Sequence, residues 1–251
     1  LGALVLAVNL LAAGGIAYPG VAGTLWILLA LALNAADDAQ LHSAAQPLTG
    51  AWKLAPLALG ASAIGSLVAC YLLAYGPVTG VQAALVRAET ERTTDARVNA
   101  LLDAATADPL SAEPWAAIGE IELERLKADP KADASRERFM MAATRMVELR
   151  PRSSAACRTA ANWYTQLFAV EGDPELAKVA AKLYQRAVEL YPALSTLRGE
   201  YALALERVGQ KREAAEQVKA ALELDGMTPH PDKKLSPELR GQLNALAEGA
   251  Q

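Results

Sequence analysis

The sequence predicts an all-α protein in two parts, transmembrane helices followed by an α-solenoid of antiparallel helix pairs. Residues 1–36 and 54–86 contain no charged side chain, whereas 23 of the 24 Lys and Arg and 26 of the 28 Asp and Glu follow Val86. The charged part is rich in Ala, Leu, Glu and Lys and lacks β-branched runs, a composition that favours helix. We therefore expect a membrane part first and a water-exposed helical part after it.

Residues 1–36 are interpreted as a transmembrane helical hairpin whose first span is truncated. As one helix they would extend about 54 Å, much more than the ~30 Å thickness of a hydrocarbon core. Gly14, Gly15, Pro19 and Gly20 interrupt the apolar run. A proline followed by a glycine suits the central positions of a type II turn, so we expect a tight turn between two spans. A re-entrant, broken helix that faces a cavity is the alternative.

A polar loop, residues 37–53, follows this hairpin, and residues 54–76 are predicted to form one more transmembrane helix. The apolar run is long enough to cross a bilayer. Trp52 stands at its start, where aromatic side chains meet the headgroup layer. Gly76 and Pro77 are expected to end the span.

Residues 77–110 are predicted to contain a linker and the first soluble helix. Residues 111–251 are predicted to form helical repeats that end in a capping helix. The segment Ser236-Pro237-Glu238 offers that last helix an N-cap, a first-turn proline and an acidic residue near the positive end of its dipole. The predicted soluble helices are Thr94–Ala107, Ala112–Ala128, Ala134–Arg150, Ser153–Val170, Pro174–Tyr191, Leu194–Gly209, Lys211–Leu224 and Ser236–Ala247.

Three predicted helices end in similar sequences, RMVELRP, RAVELYP and KAALELDG. The offset from Ala187 to Ala221 is 34 residues, which is the tetratricopeptide period, and this part of the chain resembles that repeat family. The resemblance implies helix pairs that close on small residues and need neighbouring pairs to cover their apolar faces. The positions that match the signature, all interpreted as structural, are Trp115, Gly119, Ala180, Tyr184, Ala187, Pro192, Gly209, Ala214 and Ala221.

The repeat pattern has two irregularities. The interval from Met146 to Ala187 is 41 residues, so about seven residues are inserted relative to the repeat period. Glu122 occupies a position at which the family usually carries an aromatic side chain.

The aromatic cluster at Trp163, Tyr164 and Phe168 is a candidate peptide-binding site. These side chains do not share one helix face, so most of them are assigned to the core. Arg152 and Arg158 are candidates for a concave groove, with solvated surface as the preferred interpretation.

The apolar stretch LVLAVNLLAAGGIAYPGVAGTLWILLALALN, residues 4–34, resembles the last helix pair of the bacterial O-antigen ligase/polymerase-like family. Many members of that family continue with one more span and an exported tetratricopeptide tail. The resemblance implies a parent enzyme that moves a lipid-linked glycan onto an acceptor, of which this chain is the C-terminal part. The arginines and histidines that such enzymes use lie on an upstream loop that no residue here matches. We therefore expect this fragment to have no catalytic residues.

Two other classes of protein remain open. One is a membrane-anchored repeat adaptor without catalytic activity, and the other is a two-span assembly factor of the cytochrome c maturation type. The latter carries a long zipper-like segment between its spans, whereas the loop of residues 37–53 is short and has no heptads. The genomic sequence upstream of residue 1 would distinguish two of these classes. Several hundred further apolar-rich residues favour the ligase, whereas an immediate start codon favours the membrane-anchored adaptor.

The expected location is the bacterial inner membrane, as a multi-pass protein, with the repeats in the periplasm. Counting positive charges opposes this orientation, because Lys53 lies on one side and three arginines between residues 87 and 97 lie on the other. The order of spans and repeats in the ligase-like family favours periplasmic repeats, and folded domains cross the membrane largely regardless of their charge.

The expected partners are the lipid bilayer, a protein or peptide bound by the repeats, and a lipid-linked glycan bound through the parent protein. Nucleic acid is excluded as a partner, because the charged part is acidic overall and has no basic stripe. His42 and His230 stand far apart, and no nucleotide-binding or metal-binding motif is present, so no cofactor or metal is predicted.

Overall fold

The computed structural model describes residues 71–249, together with Ala61, Gly65 and Val68. The chain divides into two compact units, Leu1–Leu67 and Val68–Gln251, and the description below concerns the second unit. The predicted turn at Gly14, Gly15, Pro19 and Gly20, the polar loop and most of the predicted span at residues 54–76 lie outside the described residues.

The described part is all-α and contains no strand. It begins with a π turn, Tyr71–Tyr75, and a short 3-10 turn, Pro231–Lys233, precedes the last helix. The helices are α1 (Gly76–Thr90), α2 (Thr94–Ala107), α3 (Glu113–Ala128), α4 (Asp133–Leu149), α5 (Ser154–Glu171), α6 (Pro174–Leu190), α7 (Ser195–Arg207), α8 (Lys211–Met227) and α9 (Pro237–Gly249).

Helices α2 to α9 agree with the eight helices predicted from sequence to within a few residues at each end. Local capping explains the agreement. The side chains of Thr93, Ser153 and Asp173 accept hydrogen bonds from backbone N–H groups at the starts of α2, α5 and α6. Gly172 and Gly209 adopt positive φ angles of 71° and 79° just after α5 and α7, where a left-handed residue ends a helix.

Helix α1 differs from the prediction, because the chain stays helical through Gly76 and Pro77 instead of entering a linker. Pro77 lies in the first turn of α1, where proline is tolerated, and the π turn directly precedes it. The Thr79 hydroxyl lies 3.1 Å from the Tyr75 carbonyl oxygen and 2.9 Å from that of Gly76. Residues 77–110 therefore contain two helices.

Consecutive helices pack as hairpins: α1 with α2, α3 with α4, α5 with α6, and α7 with α8. Neighbouring hairpins stack through α2 and α3, through α5 with both α3 and α4, and through α6 and α7. Helix α9 packs against both α7 and α8, as the first helix of another hairpin would, and so covers the last hairpin. This is the role that the sequence predicts for a capping helix.

The largest core cluster lies between α3, α4, α5 and α6, where Phe139 forms aromatic contacts with Trp163 and Tyr164. Trp163 and Tyr164 are buried and Phe168 packs partly buried against the same cluster, which confirms their assignment to the core. A second cluster around Tyr184 and the alanines of α6 joins α5, α6 and α7. Among residues 71–249, no helix has the length and apolarity needed to cross a bilayer.

Candidate functional site

The main candidate site is a cleft of about 490 Å³. It is lined by side chains of α5, α7 and α9, by one residue of α6 and by two residues of the segment before α9. Helices α5 and α7 are the first helices of consecutive hairpins, and α9 takes the equivalent place after them. We call this space the α5–α7–α9 cleft. Its lining residues are Arg158, Asn162, Thr165, Tyr184, Thr196, Glu200, Leu203, Arg207, Lys234, Ser236, Glu238, Leu239 and Gln242.

An ion pair between Arg158 of α5 and Glu200 of α7 spans the cleft wall. The Arg158 Nε donates to Glu200 Oε2 at 2.7 Å, and a terminal guanidinium nitrogen donates to Oε1 at 2.5 Å. This two-point contact with Glu200 raises the pKa of Arg158 above its ordinary value. The two residues stand 42 positions apart in sequence, so the pair links α5 with α7, the first helices of successive hairpins.

Tyr184 brings a hydroxyl from α6 into the same cleft. Its ring is buried against α5 and α7, and its hydroxyl donates to Asn162 Oδ1 at 2.5 Å. Burial raises the pKa of Tyr184, and the nearby negative charge of Glu200 raises it further. The tyrosine therefore stays protonated and acts as a fixed hydrogen-bond donor at physiological pH.

Two cations in the cleft form no ion pair with another described side chain, Arg207 at the end of α7 and Lys234 before α9. Both are exposed. On the acidic side, Glu200 is already engaged by Arg158, and the Ser236 hydroxyl and the backbone N–H of Glu238 lower the pKa of the Glu238 carboxyl. The cleft lining thus carries three cations, Arg158, Arg207 and Lys234, against two carboxylates, Glu200 and Glu238, an excess of one positive charge.

Arg158, assigned from sequence to solvated surface, is half-buried in this cleft, and Arg152 is exposed and outside it. The sequence also makes Arg158 a candidate for a groove, but its partner Glu200 lies in another hairpin. No local sequence pattern links the two residues.

The signature positions of α6 and α8 lie inside the stack. Ala180, Tyr184 and Ala187 are buried along one side of α6, and Ala214 and Ala221 are fully buried on α8. Small side chains at these points let the paired helices approach closely.

The remaining signature positions take part in packing or chain reversal. Trp115 is half-buried between two core clusters. Pro192 is exposed after α6, and its carbonyl accepts a hydrogen bond from Arg198. Gly209 donates its N–H to the Glu206 carbonyl, while the next residue bonds back to Leu205, a Schellman arrangement that closes α7.

Gly119 makes the tightest contact between successive first helices. A Cβ added at Gly119 of α3 would lie 2.4 Å and 2.6 Å from ring atoms of Trp163 on α5. Gly199 on α7 repeats the arrangement, since a Cβ there would lie 3.0 Å from a methyl carbon of Leu243 on α9. The repeat signature predicts Gly119 but not Gly199, because Gly119 is the seventh residue of α3 whereas Gly199 is the fifth residue of α7.

Glu122, the departure from the aromatic position, is fully buried on α3. Its Oε1 accepts a hydrogen bond from Arg138 Nε at 2.6 Å and lies 3.4 Å from a terminal nitrogen of Arg125. Arg125 in turn contacts Asp95 on α2. The buried carboxylate therefore connects three helices in a place where the repeat family usually has a ring.

No family model and no curated protein matches this chain. Among solved structures, a crystal structure of MamA matches 72% of this chain and 98% of its own length, with 17% sequence identity and a TM-score of 0.45. A second crystal structure of MamA matches 63% of this chain and 98% of its own length, with 17% identity and a TM-score of 0.26. Because these scores are low, the description of the stack as tetratricopeptide-like rests on the helix packing given above.

Proposed function

We propose that the helix hairpins form a protein-interaction module and that the α5–α7–α9 cleft binds an extended, acidic segment of a partner protein. The supporting observation is the cleft itself, which three successive first-position helices line and in whose wall the Arg158–Glu200 pair links α5 with α7. A preformed cleft lowers the ordering cost of binding.

The charges of the cleft favour an acidic ligand. Arg207 and Lys234 stand without a described ion-pair partner, and Tyr184 and Asn162 are already committed to each other. A carboxylate on the ligand would accept charge-assisted hydrogen bonds from both cations, and at such exposed positions each ion pair contributes about 0.2–1 kcal/mol.

The test uses the full chain in lipid nanodiscs and a displayed library of random peptides. Peptides selected on the wild-type protein are expected to be enriched in Asp and Glu. The double charge reversal Arg207→Glu with Lys234→Glu should weaken the best peptide at least about tenfold, which corresponds to roughly 1.4 kcal/mol.

Lys211→Glu with Lys219→Glu is the matched control, because both are exposed lysines on α8 that do not line the cleft. It should leave peptide affinity unchanged. Equal affinity of the double variant and the wild type, or selection of peptides without acidic residues, would refute the proposed role of the cleft.

We further propose that the module is the tail of an inner-membrane protein of the O-antigen ligase-like class. The support is the sequence resemblance of residues 4–34, which lie outside the described residues, and the order of apolar segments before the repeats. The fragment itself is proposed to lack transferase activity, and any glycan transfer would belong to the parent.

Two measurements test this second proposal. A reading frame that continues upstream through several hundred apolar-rich residues supports the ligase, whereas a start codon just before residue 1 supports a membrane-anchored adaptor. The repeats are proposed to be periplasmic. Protease added to intact spheroplasts should then degrade them, and protection would reverse the orientation.

A further inference from the structure

Large apolar side chains are concentrated and exposed at the start of the described helix. Tyr71, Leu72, Tyr75 and Val78 are each between 52% and 62% exposed, within eight residues of one another. The rings of Tyr71 and Tyr75 stack with their centroids 5.6 Å apart, so the two side chains form one aromatic surface. Such a cluster on a helix next to water needs a partner.

Helix α1 cannot bury this surface by turning. Its other side buries Val81, Ala84 and Ala88, and α1 packs against α2 along its length. Because no break separates the π turn from α1, the exposed cluster is held in a fixed orientation by the α1–α2 hairpin.

The sequence around the cluster favours lipid as the partner. Residues 54–75 carry no charge, and the next charged side chain is Arg87. If helical, the 24 residues from Trp52 to Tyr75 would extend about 36 Å, which is the thickness of the hydrocarbon core with a margin at the headgroups. Aromatic residues at both ends of such a run are typical of membrane interfaces.

The exposed side of α1 becomes polar soon after the cluster. Thr79 and Gln82 are exposed one and two turns beyond Tyr75, and charged residues follow from Arg87. Val86 is an isolated exposed apolar side chain on this part of the helix. A lipid-facing surface would therefore end near Val78.

We propose that Tyr71, Leu72, Tyr75 and Val78 contact the acyl chains and headgroups of a bilayer, so that the membrane surface lies at the π turn. This inference rests on the proposed membrane anchoring and adds a specific consequence. Because the π turn continues into α1 without a break, the α1–α2 hairpin would begin at the bilayer surface.

Spin-label depth measurements on the full chain test this. The chain is reconstituted in phosphatidylcholine–phosphatidylglycerol vesicles, with Cys70→Ser as background and the buried Cys157 retained. Nitroxides are attached singly to Tyr75→Cys, Val78→Cys and Val86→Cys. For each label, the collision rate with oxygen, which concentrates in lipid, is compared with that of a water-soluble nickel chelate.

Labels at positions 75 and 78 should collide several-fold more with oxygen than with the nickel chelate. A label on Lys219→Cys of α8, the aqueous control, should show the reverse, and Val86→Cys should resemble the control. If the protein stays in the vesicles after a carbonate wash but positions 75 and 78 behave like the control, the lipid contact is refuted and the anchoring stands. Release of the protein by carbonate would refute both.

Discussion

Gly119→Ala is expected to destabilise the stack, although alanine is the better helix former. The new Cβ would lie 2.4 Å and 2.6 Å from atoms of the Trp163 ring, closer than real Cβ contacts. The indole has little room to withdraw, since Trp163 is 4% exposed and packs against Phe139 with ring centroids 6.3 Å apart. Relief requires α3 and α5 to separate by about an ångström, which loosens the largest core cluster.

Two opposing effects determine how much stability Gly119→Ala should lose. Overpacking of a well-packed core costs about 1–3 kcal/mol, and a contact with a rigid ring belongs at the upper end of that range. Replacing glycine by alanine within a helix gains roughly 1 kcal/mol. The net loss in free energy of unfolding is therefore about 2 kcal/mol. For a unit of this size it lowers the Tm by about 4–8 °C.

The assay is thermal and urea unfolding of the full chain in detergent micelles, followed by far-ultraviolet circular dichroism. Gly241→Ala is the matched control, because Gly241 is an exposed helical glycine of α9 with nothing within 4 Å of its added Cβ. It should stabilise by up to about 1 kcal/mol. Gly199→Ala should fall between the two, since its Cβ meets the movable end of Leu243 at 3.0 Å.

The double variant Gly119→Ala with Trp163→Leu separates the clash from other effects. The smaller leucine frees the space, so the two substitutions should cost less together than the sum of their separate costs. If Gly119→Ala is as stable as Gly241→Ala, the close approach of α3 and α5 does not exist as described.

Asp225→Ala should detach the capping helix, because the buried Asp225 carboxylate accepts the Leu235 N–H at 2.7 Å and pairs with Arg240 of α9. The expected loss is about 1–3 kcal/mol, with hydrogen exchange accelerated in α9 and not in α3 to α6. Glu223→Ala, on the exposed face of the same helix, should change stability by less than about 0.5 kcal/mol. The ionisation of Tyr184 should make the stability of the stack depend on pH. Since burial raises its pKa in the folded state, its contribution to stability is complete below the unfolded pKa near 10 and declines as the pH rises above it. Tyr184→Phe should flatten that decline in urea midpoints measured at alkaline pH, and an unchanged slope would contradict the assigned burial.

Local patterns determined the helices. Caps such as Thr93, Ser153 and Asp173 and the glycines at 172 and 209 act within one turn of the chain, so the bounds of α2 to α9 could be predicted closely. The exception is instructive. Gly76-Pro77 is a strong local stop signal, yet the chain stays helical there, because Pro77 falls in the first turn of α1 and α1 packs against α2.

The sequence by itself determined an all-α charged part, its helix bounds and the small-residue positions along α6 and α8, because helical hydrogen bonds and side-chain periodicity span only a few residues. The tertiary structure alone decided that Gly119 receives Trp163 and that Arg158 pairs with Glu200 across 42 positions. It also decided that the hydroxyl of Tyr184 reaches a cleft. Contacts between separate hairpins depend on the distance and angle between helices, and those follow from the packing of the whole stack.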